Sequence, residues 1–465
     1  MQLREGCKAI QNVVQLAPRK APYEAASDAY LSGRPKLCLS LLHGHDSASA
    51  SLLRARAFLR AGRVVDAIVE LGQNVPSFGD HAASAVHQFL LGTALARRDD
   101  YETADEALAN AETYATSTGD REIITEAAYY RALTAFMRGD FSRTEDIAGE
   151  ALDERGGSAH ARLLDLLGLV AALQGDIERQ ITMQLAANEH AIGIAKRDAY
   201  FEANMLNNLA IPVAEVNPSG LADFVRTRAA GIAWNDELRP LRFYLTNRLA
   251  WLDALAGNHL SAFRNFRLAI DLAPTAALRA TALVGRGYLA REIGEFVNAA
   301  ECIADADDLV QQIDWTATSD DEREALLDLA PLLARSDPSR AALHIARYKA
   351  LSKPINRLNV VTHGSPLYRA KEAYAFGLVA KEERGVSFAL PLLQEAYRLF
   401  RSVSSSWRAA LVALDLFELT GDAAMLTFAR LHANRVPHSW LARRVARLTE
   451  SSDLGLRYVG SHSRN

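Results

Sequence analysis

The sequence contains very little cysteine. Its 465 residues include only Cys7, Cys38 and Cys302, which lie far apart and show no paired spacing. A disulfide framework or a zinc-binding cysteine pattern is therefore not expected, and a reducing compartment fits best. The first residues, MQLREGCKAI, lack the apolar core of a signal peptide, and no window approaches the ~18 apolar residues of a membrane span. We expect a cytoplasmic protein that makes no membrane contact.

The sequence also lacks a strong excess of charge of either sign. Its formal net charge is −4, from 52 basic and 56 acidic residues. This balance provides no overall attraction to nucleic acid or to an anionic membrane. Arginine nevertheless supplies 44 of the 52 basic residues, and its guanidinium group binds carboxylates and phosphates through paired hydrogen bonds. A groove lined by arginine could hold an anionic ligand, although solvated helix faces would explain the same arginines.

Signatures of the common enzyme classes are missing as well. The sequence has no G-x-x-x-x-G-K-[ST] phosphate loop, no G-x-S-x-G, no H-E-x-x-H and no strand-linked G-x-G-x-x-G. The nearest approach to a metal site is His43-Gly-His45-Asp46, a pattern that suits the end of a helix equally well. We therefore predict a protein that is not an enzyme and that needs no cofactor or metal.

Helix-breaking and hairpin-forming residues are scarce over long stretches. No proline occurs between Pro76 and Pro212, where alanine, leucine, glutamate and arginine dominate. Proline disrupts helix interiors, so its absence permits long uninterrupted helices. Alternating β-branched runs joined by Asn-Gly or Asp-Gly turns are absent too. The sequence therefore predicts an all-α protein.

Glycine recurs at a regular interval between the apolar segments. Single glycines, often followed by Asp, Glu or Asn, lie between the two helices of a predicted pair. They are Gly33, Gly62, Gly139, Gly175, Gly257, Gly294 and Gly421, with Asp99 in the equivalent place. The mean spacing is about 37 residues, a period typical of stacked helical hairpins. Glycine permits the left-handed backbone that ends the first helix of each pair.

One segment shows the repeat in detail. Residues 246–274 read TNRLAWLDALAGNHLSAFRNFRLAIDLAP. In this segment Leu249 and Ala250 precede Gly257, and Ala262, Phe266, Ala269 and Pro274 follow it. This pattern resembles the tetratricopeptide consensus. Small residues there would let paired helices approach closely, while the large ones fill the space beside the neighbouring pair. The resemblance implies a right-handed α-solenoid of stacked helical hairpins.

The repeat also predicts how the chain is organised. We expect a lead-in over residues 1–21 and about eleven hairpins over 22–434, irregular near 211–220 and 353–366, where Pro, Asn and Gly cluster. A capping helix at 435–450 would close the array, and 451–465 would form a flexible tail.

The register of the repeat points to a binding surface. In tetratricopeptide arrays the first helix of each hairpin lines the concave groove, and here this register selects Asn204, Asn207, Tyr244, Asn247, Trp251, Tyr288 and Arg291. Asparagine can hold a peptide backbone or a carboxylate, while Tyr and Trp offer rigid apolar area with a polar group. The alternative is that Trp251 and Tyr288 pack between hairpins and that the asparagines are incidental.

Several longer stretches carry a second resemblance. AYLSGRPKLCLSLL, LRARAFLRAGRVVDAIVEL, AYYRALTAFMRGDF, GYLAREIGEF, WRAALVALDLFELTGD and PHSWLARRVARL resemble the repeat-rich sensor region of bacterial LuxR-type transcriptional regulators. In those regulators a DNA-binding helix-turn-helix follows the helical array. The end of this sequence, RLTESSDLGLRYVGSHSRN, lacks that motif, and the arginines Arg435, Arg443, Arg444 and Arg447 give only a weak nucleic-acid signal. We therefore expect no direct DNA binding.

Two functional hypotheses follow. In the first, the groove recognises a peptide, a protein or a small ligand and thereby acts in bacterial transcriptional regulation or signalling. In the second, the array is a general protein–protein interaction scaffold unrelated to transcription. Neither hypothesis identifies the partner.

Overall fold

A computed structural model describes most of the chain: residues 21–77, 79–152, 157–192, 198–216, 219–315, 318, 320–351, 365–434 and 439–450. Within these residues the chain forms helices joined by turns, and no β-strand occurs. The all-α prediction is therefore confirmed. None of the helices described combines the length and the apolar composition needed to cross a bilayer.

The chain divides into two compact units, Met1–Ile124 and Thr125–Asn465. The first unit contains three helix pairs: α1 (Pro22–Leu31) with α2 (Pro35–Leu41), α3 (Ala48–Arg60) with α4 (Val64–Gln73), and α5 (His81–Ala96) with α6 (Tyr101–Thr118). Small and medium side chains, among them Ala26, Cys38 and Leu42, bury the contacts among α1, α2 and α3.

The second unit holds the remaining helices, and its first helix begins just before the boundary. The helices are α7 (Arg121–Met137), α8 (Phe141–Leu152), α9 (Gly157–Gln174), α10 (Ile177–Ile192), α11 (Ala199–Val216), α12 (Ser219–Ala230), α13 (Arg239–Leu255), α14 (His259–Leu272), α15 (Ala276–Ile293), α16 (Phe296–Gln312), α17 (Asp320–Leu333), α18 (Pro338–Leu351), α19 (Pro366–Arg384), α20 (Val386–Ser402), α21 (Ser406–Thr420) and α22 (Ala423–Ala433). A further helix, α23, covers residues 440–450. Each odd-numbered helix from α9 to α21 packs against the next along the chain. Helix α7 packs against α8 through Phe136, Phe141 and Ala148.

The turns between paired helices have the backbone that the glycine repeat predicts. All seven repeat glycines adopt a left-handed conformation, with φ between 71° and 91°. Asp99, in the equivalent place, has a φ of 62° although it carries a side chain. Left-handed backbone disfavours most residues and favours glycine, so these positions end one helix and reverse the chain. The predicted role of the glycines is confirmed.

The small residues of the repeat lie where helices come closest. Ala250, Ala262 and Ala269 are fully buried. Phe266 packs so tightly that a Cβ atom added to Gly285 of the next hairpin would lie 2.5 Å from its ring. Replacing such small residues would force the helices apart, so small and large side chains together determine the spacing of the hairpins.

The irregular segments predicted from sequence fall only partly within the described residues. Helix α11 continues to Val216 through Pro212, which gives up one backbone hydrogen bond inside the helix. Only residues 217 and 218 separate it from α12, so most of the break predicted at 211–220 is helical, and these two residues fall outside the described ranges. Residues 353–364 of the second predicted break, the lead-in before residue 21, residues 435–438 and the tail at 451–465 also lie outside the described residues.

Within the second unit, helices that are distant in sequence come together. The start of α21 packs against the end of α11. The Trp407 indole donates a hydrogen bond to the Ala214 carbonyl over 3.1 Å, and the Ser405 hydroxyl donates to the Glu215 carboxylate over 2.8 Å. A stack with contacts only between successive hairpins would not bring these residues together. The last described hairpin therefore contacts the middle of the same unit.

Candidate functional site

The seven residues selected from sequence lie on three first helices of successive hairpins. Asn204 and Asn207 are on α11, Tyr244, Asn247 and Trp251 on α13, and Tyr288 and Arg291 on α15. Helix α13 packs against both α11 and α15. The structure therefore brings the three helices together, but it gives the individual side chains different surroundings.

Four aromatic rings form a closed set of contacts, which we call the aromatic cluster: Trp251, Tyr288, Trp407 and Trp440. Trp251 lies 5.8 Å from Tyr288 and 6.4 Å from Trp407, measured between ring centroids. Trp440 of α23 completes the set, 5.4 Å from Tyr288 and 6.2 Å from Trp407. Such distances are typical of packed aromatic pairs. Two of the predicted residues thus contact α21 and α23, which come later in the chain.

The aromatic cluster gives Trp251 and Tyr288 a packing role. Trp251 also meets Phe266 edge-on, at 5.6 Å between centroids. Burial raises the pKa of the Tyr288 hydroxyl well above its ordinary value, and the charge of Glu292 raises it further. That hydroxyl makes no hydrogen bond with any described residue. In this arrangement both residues are half-buried, with their rings in contact with the protein's own side chains.

Two asparagines have unsatisfied polar atoms. The side-chain oxygens of Asn207 and Asn247 are buried and accept no hydrogen bond from the described residues. Asn247 is only 6% exposed, whereas Asn204 and Asn207 are half-buried. A buried acceptor without a donor costs about 1–3 kcal/mol. These oxygens are therefore suited to accept a hydrogen bond from water or from a bound ligand.

The two remaining predicted residues have partners in the protein. Tyr244 packs edge-on against Phe243, with 5.3 Å between ring centroids. The Arg291 guanidinium lies 5.3 Å from the centre of the Tyr288 ring and 3.4 Å from a carboxylate oxygen of Glu292. Arg291 also borders a cavity described below.

A group of charged residues, the charged cluster, joins five helices of the second unit. It consists of Glu215 on α11, Arg248 on α13, Glu324 and Asp328 on α17, Lys371 on α19 and Arg408 on α21. Arg408 donates to Glu215 from Nε over 2.6 Å and from Nη2 over 3.0 Å. Burial alone would raise the pKa of Glu215, but Arg408 holds it below its ordinary value.

Asp328 is the unusual member of the charged cluster. Its side chain reaches solvent, but desolvation of the carboxyl group and the nearby charge of Glu324 raise its pKa, while the charges of Lys371, Arg408 and Arg248 act in the opposite direction. Lys371 lies 3.6 Å from Glu324, so its ammonium group neutralises the other acid. No ion pair to Asp328 forms among the described residues. The cations near Asp328 form no direct ion pair with it, so its carboxylate could still pair with a further positive group.

A cavity of about 320 Å³, which we call the arginine cavity, opens between α15, α17, α19, α21 and α23. On one wall Arg444 donates to Asp415 over 2.5 Å and to Glu418 over 2.9 Å, and the Tyr374 hydroxyl donates to Asp415 over 2.7 Å. Of the seven residues selected by the repeat register, only Arg291 borders this cavity. The C-terminal arginines were visible in the sequence, but helices distant in the chain form the other walls.

No group of three or more His, Cys, Asp or Glu side chains in the described part of the chain is arranged to hold a metal ion. The three residues singled out in the sequence, His43, His45 and Asp46, follow α2 in the turn that leads to α3. Their placement matches the end of a helix.

Comparison with known proteins supports the fold. No protein-family model and no curated protein matches the chain. Among solved structures, a Rap protein complexed with Competence and Sporulation Factor is 14% identical and has a TM-score of 0.52, over 79% of this chain and 99% of that one. The apo form of the quorum sensor NprR from B. thuringiensis is 16% identical over 78% and 97% of the two chains, with a TM-score of 0.44.

A third similar structure, the human IFIT1 dimer with m7Gppp-AAAA, is 13% identical over 93% and 95% of the two chains, with a TM-score of 0.45. Together with the observed helix pairs, the similarity to the Rap protein confirms a tetratricopeptide-like α-solenoid fold. At such low identity they establish the fold alone. The resemblance to LuxR-type regulators remains a prediction.

Proposed function

We propose that the chain is a non-catalytic binding module that takes up a peptide, or an extended segment of a partner protein, along α11 and α13 of the second unit. Binding of this ligand would serve bacterial transcriptional regulation or signalling, the role implied by the resemblance to LuxR-type sensor regions. The residues proposed to contact the ligand are Asn204, Asn207 and Asn247.

The observation that carries this proposal is the pair of unsatisfied acceptors on adjacent helices. Asn207 and Asn247 each have a buried side-chain oxygen that accepts no hydrogen bond from the described residues. An extended peptide has repeated backbone N–H groups, which are the donors that these oxygens lack. The remaining predicted residues would support the site, with Trp251 and Tyr288 acting through packing and Tyr244 and Arg291 at its edges.

The charged cluster adds a preference to the site. Asp328 is a carboxylate without an ion pair among the described residues, and a basic side chain or an amino terminus would stabilise its charged form. We therefore propose that the ligand carries a positive group. The Rap protein, whose structure contains Competence and Sporulation Factor, shows that a chain of similar fold can hold a ligand.

A peptide-display selection against the full chain tests the proposal. Selected peptides should bind the Asn207→Ala/Asn247→Ala variant at least about tenfold more weakly, since each lost hydrogen bond contributes about 1 kcal/mol. The matched control is Asn298→Ala, which changes an exposed asparagine on α16, the second helix of its hairpin. Circular dichroism would confirm that all variants keep their helix content.

The selection also has outcomes that contradict the proposal. Failure to enrich any peptide sequence would do so, as would peptides that bind the double variant as tightly as the unmodified chain. The positive group is tested separately with Asp328→Asn, which should weaken the binding of basic peptides and leave neutral ones unchanged. A reporter-gene assay in a bacterial host that expresses the same variants would separate regulation from a general scaffold role.

A further inference from the structure

Apart from Arg291, the residues that line the arginine cavity take no part in the proposed peptide site. We propose that the cavity binds a second ligand through one anionic group, a carboxylate or a phosphate, held by Arg335 and Lys381. Neither Asn207 nor Asn247 borders this cavity, so the inference goes beyond the proposed function.

The first step in the argument is the size and construction of the cavity. Its volume of about 320 Å³ lies at the lower end of the range typical of small-molecule sites, roughly 300–1,000 Å³. Arg444 and Asp415 are both almost fully buried, and the ion pair between them makes the wall rigid. Leu378, Pro331 and Leu448 provide apolar surface beside the charges. A small ligand, or the end of a chain, would fit such a space.

The second step concerns the acids that line the cavity. Asp415 and Glu418 share the single positive charge of Arg444, and Asp415 also accepts a hydrogen bond from the Tyr374 hydroxyl. Glu292 lies beside Arg291. A fourth acid, Glu382, is exposed to solvent. The cavity lining therefore sets four acids against five cations, Arg291, Arg335, Lys381, Arg444 and Arg447, and carries an excess of one positive charge.

The third step concerns the cations, which are not all compensated. Arg335, which follows α17, and Lys381, in the last turn of α19, form neither an ion pair nor a side-chain hydrogen bond with any described residue. Arg335 offers the planar pair of donors that matches a carboxylate or a phosphate, and Lys381 adds a second positive charge. Two uncompensated cations in the lining of one cavity favour an anionic ligand.

The last step is the part that α23 plays. Arg444, Arg447 and Leu448 of this helix form one wall of the cavity, and the other walls come from the solenoid hairpins. A ligand in the cavity would contact both parts. Because a ligand that binds only the folded state stabilises it, occupancy should strengthen the docking of α23.

The test uses the full chain and inorganic phosphate as the probe. Thermal unfolding is followed in phosphate and in chloride at equal ionic strength. We expect phosphate to raise the Tm of the unmodified chain and of Arg264→Ala/Arg267→Ala, a control that removes two exposed arginines from the outer helix α14. Phosphate should not raise the Tm of Arg335→Ala/Lys381→Ala.

A second arm identifies the source of the anionic group. Short peptides with a free carboxyl terminus are compared with the same peptides amidated at that end, again by thermal unfolding of the three proteins. Stabilisation by the free acid alone would show that the cavity takes a chain end, and stabilisation by phosphate alone would show that it takes a small free anion. Both results support the proposal if they require Arg335 and Lys381.

Hydrogen exchange gives an independent readout. In the presence of an effective probe the amides of α23 should exchange more slowly, and this protection should be absent in Arg335→Ala/Lys381→Ala. The proposal is overturned if neither probe stabilises the unmodified chain. It is equally overturned if both double variants respond as the unmodified chain does, because the effect would then be a general response to anions.

Discussion

Arg408 forms a bidentate ion pair with Glu215, which lies 193 residues earlier in the chain. The pair joins the start of α21 to the end of α11, beside the hydrogen bond between Trp407 and the Ala214 carbonyl. Glu215 is almost completely buried, so its charge depends on Arg408. This contact brings the last described hairpin against the middle of the second unit and places its helices beside the proposed binding residues.

Removing Arg408 should destabilise the protein strongly. Arg408→Met leaves the Glu215 carboxylate buried and unpaired, and we expect a loss of about 3 kcal/mol in the free energy of unfolding, measured by urea denaturation. Adding Glu215→Gln to that variant should restore part of the loss, because no unpaired charge then remains. Arg398→Ala, which breaks an exposed pair with Glu395, is the control and should have little effect. An unchanged free energy of unfolding in Arg408→Met would contradict the role of this ion pair in joining α21 to α11.

Trp440 should be essential for the docking of α23. Its side chain is 0% exposed and contacts both Tyr288 and Trp407. Trp440→Ala should lower the free energy of unfolding by about 3–5 kcal/mol, as expected for a large buried aromatic side chain. Leu431→Ala, at an exposed position on α22, should change it by less than about 0.5 kcal/mol. Similar values for the two variants would show that α23 is not packed as described.

The stability of the protein should depend on pH through Asp165. Burial raises its pKa to about 7, although the hydrogen bond from Asn208 acts in the opposite direction. Because the folded state holds the proton more tightly than the unfolded state, the contribution of Asp165 to stability is present at low pH. It is lost as the pH rises from the unfolded pKa, near 4, towards 7.

Comparison with Asp165→Asn isolates this effect. Between pH 5 and 7 the unmodified chain should lose on the order of 2 kcal/mol relative to that variant, as measured by urea denaturation at each pH. Asp308→Asn, at an exposed position on α16, is the control and should give a profile parallel to that of the unmodified chain. Parallel profiles for Asp165→Asn as well would rule out a proton on Asp165 in the folded state.

Much of the fold could be predicted from sequence because its determinants are local. A glycine such as Gly257 is required where the backbone turns left-handed, and Ala262 is small because the paired helix lies within one helix diameter. Both requirements recur at nearly fixed intervals along the chain, so one sequence reveals them. The same register selected Asn207 and Asn247, whose unsatisfied oxygens became apparent only in the structure.

The surroundings of those residues were decided by tertiary structure. Nothing near Trp251 in the sequence indicates that its ring will meet Trp407, or that Tyr288 will meet Trp440. Arg335, Lys381 and Arg444 likewise share a cavity although they belong to three separate segments. Repeat spacing, turn chemistry and the all-α fold follow from interactions within one or two hairpins, which the sequence alone determines. Which distant hairpins meet depends on the packing angles of many successive helices added together. That combined angle is known only from the three-dimensional structure.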